Sequence, residues 1–150
     1  MNKKNIIRIL VALCLAGVAY FAVSRLTAPK LDSGMKEVSV KFEVEDADGN
    51  KTAFYEQSVR TNAETVGDLL EELNETPSIT ITLSGEKTDP YGRTLVGVNE
   101  YVTEDWNGGP WWLYNSTTNK DCVDAGFCNG IDANPVYDKD VFVFTFTSTY

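Results

Sequence analysis

The sequence predicts an α+β fold, a sheet carrying one main helix, preceded by an N-terminal hydrophobic helix. Three observations predict it. Val38, Val40, Phe42 and Val44 alternate with Ser39, Lys41 and Glu43, the period of a half-buried strand. Val66, Leu69, Leu70 and Leu73 recur at helical spacing and form one apolar stripe. Phe142, Phe144 and Phe146 alternate with Val141, Val143 and Thr145, leaving both faces largely apolar, as in a central strand covered on one side by the helix.

The 150 residues suit one domain with an appendage. Charge divides the chain. Residues 1–30 hold Lys3, Lys4, Arg8, Arg25 and Lys30 and no acid, so the remainder carries eight basic and 22 acidic groups, a net of −14. So acidic a body repels nucleic acid and anionic lipid head groups, and neither is expected as its partner. The chain has no histidine, which removes the commonest general base and metal ligand. A Ser-His-Asp or Cys-His site cannot form within it, and the protein is read as no enzyme.

Lys3 and Lys4 precede an unbroken apolar or glycine run from Ile9 to Val23. At 15 residues the run is short of the ~20 of a spanning helix and fits a secretory signal, with Ala22-Val23-Ser24 as a cleavage site. With Ile6, Ile7 and residues 24–26 added, it can instead stay as a membrane anchor. Residues 1–26 are thus a signal peptide or anchor, 27–36 a linker and 37–150 an exported domain, secreted or displayed outside the cytoplasm. Cys14 follows Leu13 and does not match a lipoprotein site.

Within the domain, Asp46-Ala47-Asp48-Gly49-Asn50 reads as a hairpin turn in preference to a calcium loop, since the twelfth-position Glu is not in register. A second strand covers Lys51 to Val59. Thr65 caps the helix, with Asp68 three residues on, and Pro77 marks its end. Glu71, Glu72 and Glu75 form a solvated face. Ser78 to Leu83 alternates as a third strand, and Tyr91 to Asn99 reads as a bent, glycine-punctuated strand. Cys122 and Cys128 are expected to pair in an exported domain. Asn74-Glu75-Thr76 and Asn115-Ser116-Thr117 match glycosylation acceptors.

Gly108-Gly109-Pro110 then introduces the strand Trp111-Trp112-Leu113-Tyr114-Asn115. Neighbours on a strand face opposite ways, so one indole is directed away from the core unless the fold covers both. An exposed aromatic surface marks binding. The ordered set Thr65-Val66-Gly67-Asp68-Leu69-Leu70, Tyr91-Gly92, Trp111 to Asn115, Gly130-Ile131 and Tyr137 to Phe144 resembles the DUF4430 family, similar to the C-terminal domain of transcobalamin and intrinsic factor. The resemblance covers about residues 38–147. It implies a β-grasp-like mixed sheet without an active site, and cobalamin or a related corrinoid as ligand. Its aromatic strand maps onto Trp111 to Tyr114 and its Gly-Ile loop onto Gly130 and Ile131. Three departures stand out. Asn115-Ser116-Thr117 replaces an Asn-Gly turn, the next loop is enlarged and carries the cysteines, and Lys139 replaces a usual glycine. The helical domain that completes the ligand site in the vitamin carriers has no counterpart in these residues.

The expected function is a small-ligand binding module. Trp106, Trp111, Trp112, Tyr114 and Ile131 stack or pack on the ligand, and Asn115 and Asn119 hydrogen-bond to it. Two alternatives stand beside it. One is a divalent-cation site at Glu100, Glu104 and Asp105, or at Asp121, Asp124 and Asp132. The other is a surface that docks a further exported or transport protein.

Overall fold

The computed structural model describes residues 34–149. Residues 1–26, expected to be a signal peptide or anchor, lie outside them. Among the described residues no helix is long and apolar enough to cross a membrane.

The architecture is α+β and mostly strand. In order come β1 (Lys36–Glu45), β2 (Lys51–Thr61), α1 (Val66–Asn74), β3 (Ile81–Ser84), β4 (Thr94–Val98), β5 (Tyr101–Val102), β6 (Trp111–Asn115), α2 (Lys120–Ala125) and β7 (Val141–Thr147). Two sheets form rather than one. The larger has the order β2-β1-β7-β6 and the smaller β3-β4-β5. The larger is mixed: β1 runs antiparallel to β2 and parallel to β7, and β6 is antiparallel to β7. Strand β7 is therefore interior, as its apolar faces require.

The hairpin forms where the Asp-Gly pair stands. Asp46 Oδ1 accepts from the backbone N–H groups of Asp48 and Asn50, both at 2.9 Å, so the aspartate closes a turn and is spent on it. In α1, Thr65 caps, accepting from the Asp68 N–H at 3.3 Å. The capping box is half made, because the Asp68 carboxylate turns to Lys87, 2.6 Å away. The glutamates of α1 are not a plain solvated face: Glu71 pairs with Arg93 at 2.5 Å, and Glu72 accepts from the Thr61 hydroxyl.

One core joins the elements. Val38, Val40 and Phe42 of β1 pack with Leu69, Leu70 and Leu73 of α1 and with Phe142 and Phe144 of β7, all fully buried. Phe42 and Phe144 stack at 4.8 Å. Strand β3 begins later than the alternation predicts, because Thr76 and Ser78 bond to each other and the ladder starts only where Ile81 N–H donates to Asn74 Oδ1 at 2.7 Å. Strand β4 likewise begins at Thr94, since the preceding Arg93 is held by Asp132. Lys139 sits at φ 69, the left-handed region that suits glycine.

The helix α2 was not anticipated. Its six residues carry no apolar stripe, and it is defined by its caps. Asn119 accepts from the Cys122 N–H at 3.2 Å, and Gly126 ends it in the left-handed conformation at φ 79. Cys122 and Cys128 are bonded, the pairing the sequence led one to expect.

Candidate functional site

Strand β6 divides its side chains as alternation demands. Trp112 and Tyr114 face the core, opposite Phe146 and Phe144. Trp112 is 8% exposed, lies 5.8 Å from the Phe42 ring and donates its indole N–H to the Tyr101 carbonyl at 3.0 Å. Trp111, Leu113 and Asn115 face the other way, opposite Thr147, Thr145 and Val143. Trp111 is half-buried rather than bare. Its ring folds back onto Gly109, where an added Cβ would come within 2.8 Å of it, and its N–H donates to the Trp106 carbonyl at 3.0 Å. Glycine at that position is what lets the turn and the indole close up.

The outer face of the larger sheet is the floor of a groove of about 810 Å³. Leu113, Val141 and Val143 make its apolar centre. One side is walled by residues 126–130, which follow α2. The Cys122–Cys128 bridge fixes that wall, and Tyr114 Oη donates to the Asn129 carbonyl from below. Phe127 rises from the wall with 62% of its surface exposed. Asn115, Ser116 and Thr117 supply polar groups beside it, and Glu43, Glu45 and Lys51 stand at the far end.

That end is neutralised internally. Glu43 is almost wholly buried, which opposes its charge. The Lys41 ammonium at 2.9 Å and the Thr145 hydroxyl at 2.9 Å outweigh the burial and hold its carboxyl below the ordinary range. Lys51 lies 3.8 Å from Glu43 and 3.7 Å from Glu45.

A second cavity of about 280 Å³ lies on the core side of β6, lined by Tyr91, Leu95, Trp112, Ile131 and Phe144 among others. Ile131 is 5% exposed there. Burial pushes the Tyr114 hydroxyl above its ordinary range.

The residues singled out in the sequence thus separate. Trp112, Tyr114 and Asn115 border the groove, and Trp112, Tyr114 and Ile131 the smaller cavity. Trp106 and Trp111 sit together at the glycine turn, with Trp106 54% exposed. Asn119 is completely buried. It donates to Asp140 at 2.6 Å and to the Pro135 carbonyl at 2.8 Å, so it braces α2 and offers no atom to a ligand.

The acidic residues do not converge. Among the described residues no group of three His, Cys, Asp or Glu side chains gathers to hold a metal. Asp121 accepts from Tyr137 Oη at 2.8 Å, and Asp124 pairs with Lys120. Asp132 pairs with Arg93 at 2.6 Å. Of the other set, Asp105 Oδ1 accepts from the Asn107 N–H at 2.9 Å, and Glu100 and Glu104 are exposed. Each of these that bonds has a protein partner of its own.

Phe127, Leu113, Val141 and Val143 were missed as site residues. The aliphatic ones were legible as the second face of β6 and β7. Phe127 carried only its place inside the cysteine loop.

No protein-family model matches the chain, and no curated protein matches it. Among solved structures it is similar to a "putative metal binding protein" from Ruminococcus gnavus, at 24% identity and a TM-score of 0.50, over 77% of this chain and 99% of that one. The likeness is one of fold.

Proposed function

We propose that residues 37–150 form a non-catalytic binding module of the β-grasp type, related to the DUF4430 family, exported and held outside the cytoplasm. It takes a flat, partly apolar ligand of the corrinoid kind in the groove on the outer face of β6 and β7. The observation that carries this reading is the wall: a disulfide-pinned loop holds an exposed phenyl ring beside an aliphatic floor. Its volume of about 810 Å³ falls within the ~300–1,000 Å³ of small-molecule sites. The left-handed backbone of Lys139, where the family usually has glycine, supports the resemblance at that turn. The neighbour's name suggests a metal; among the described residues no group of three His, Cys, Asp or Glu side chains gathers to hold one.

The test is equilibrium dialysis of hydroxocobalamin against the full chain. Saturable binding is expected, weakened about tenfold by Phe127→Ala, the loss of one well-packed aromatic contact. Leu113→Glu, on the floor, is expected to weaken it further, while Trp106→Ala leaves it unchanged. Absence of saturable binding at millimolar ligand would refute the corrinoid assignment.

A further inference from the structure

Strand β2 is an edge of the larger sheet. Among the described residues, no backbone group of residues 52–60 bonds to anything beyond the β1 pairing. Gln57 points to the core side yet is exposed, so nothing described covers the edge there. The opposite edge, β6, is short and flanked by the disulfide loop. Strand β2 has neither protection, nor a proline, nor an inward-pointing charge.

The ladder with β1 sets the limits of the flat part. Phe42 faces Tyr55 and Glu43 faces Ala53, so Phe54 is the extra residue of a bulge. Between that bulge and Thr61, where Gly34 closes on the backbone, the open stretch is Glu56 to Arg60, and its midpoint is Ser58. An antiparallel two-fold centred on Ser58 would use all of it. That register sets Glu56 of one copy opposite Arg60 of the other, twice, with both side chains on the outer face. Both residues are exposed. Neither forms an ion pair within its own copy among the described residues. Arg60 uses only Nε, which donates to the Gly34 carbonyl at 3.2 Å.

We infer that β2 is the docking edge for a second copy of this chain. The pairing is isologous, joins two four-stranded sheets into one eight-stranded sheet, and sets both grooves on the same face. The backbone ladder supplies most of the attraction and the crossed Glu56 and Arg60 pairs select the register. Two acidic bodies repel at long range, so association tightens as salt rises from low to physiological strength. The inference goes beyond the ligand assignment and does not depend on it.

Cysteine cross-linking in the full chain tests it, in a Cys14→Ala background to remove the unpaired thiol. Ser58→Cys is expected to give a covalent dimer on mild oxidation, and Lys51→Cys, beyond the bulge, is not. Glu56→Arg should cut the Ser58→Cys yield about tenfold by placing like charges opposite one another. Adding Arg60→Glu should restore it, with circular dichroism unchanged throughout. Equal cross-linking at positions 58 and 51, or no rescue by the exchanged charges, overturns the inference.

Discussion

At the scale of single residues, Asp132 is held at three points by one arginine. It accepts from Arg93 at the backbone N–H (2.7 Å), Nε (3.0 Å) and Nη2 (2.6 Å). Gly67 admits it, since a Cβ there would stand 2.1 Å from Asp132 Oδ1. The Arg93 hydrogen bonds hold the Asp132 carboxyl below its ordinary range against the cost of burial. A depressed carboxyl pKa means that its stabilisation is complete above the unfolded value and is lost as pH falls through the folded one. Asp132→Asn should therefore cost about 2 kcal/mol at pH 7, because it removes the charge-assisted hydrogen bonds of a buried guanidinium that keeps only Glu71 and Asp68 as carboxylate partners. The deficit should shrink as pH falls below about 4, where the carboxyl of the unfolded wild-type chain begins to protonate while the folded one still holds its charge. Urea midpoints at pH 7 and pH 3 measure this, and an equal deficit at both would rule it out. None of it was legible in the sequence. Asp132 and Arg93 stand far apart in the chain, and an aspartate beside other aspartates suggests cation ligands until its arginine is seen.

Among the elements, the loop from α2 to Gly130 matters most to the groove. Two fastenings hold its tip, the Cys122–Cys128 bond and the Tyr114 hydroxyl on the Asn129 carbonyl. Replacing both cysteines by serine should lower stability by only about 2 kcal/mol, because the closed loop is short. Amide exchange should localise the effect, with residues 126–129 losing protection while β6 and β7 retain theirs. Uniform loss across the sheet would mean that the bridge supports the fold rather than the wall. The long elements were readable because their periods are strong: β1, β7 and α1 each announce a buried face. The short ones were not. α2 depends on an asparagine cap and a glycine stop, and β3 and β4 begin where side-chain bonds release the backbone. For the same reason the inward and outward roles of Trp111 and Trp112 stayed open, since alternation fixes only that they differ.

For the whole molecule, the described residues 34–149 belong to one compact unit. Both sheets and α1 contribute to a single core, with Ile81, Leu95 and Val98 of the smaller sheet joined to Phe42, Phe144 and Leu70. The domain should therefore unfold in one cooperative transition. Tryptophan fluorescence reports β6 and far-ultraviolet circular dichroism reports all elements, and the two denaturation curves should coincide. Separate midpoints would show that the smaller sheet melts by itself. Hydrophobic periodicity pointed to the α+β class, but not to the division of the strands into two sheets. That split follows from β4 pairing only with β3 and β5, a long-range choice no local pattern encodes. It also creates the smaller cavity between β4 and β6. Strand β6 is then a partition one polypeptide thick, with the groove on one side and that cavity on the other. Whatever leans on its outer surface presses on the same peptide planes that support Trp112 and Tyr114 within. Occupancy outside thus reaches the interior through a single ply of chain, and the buried indole is placed to register it.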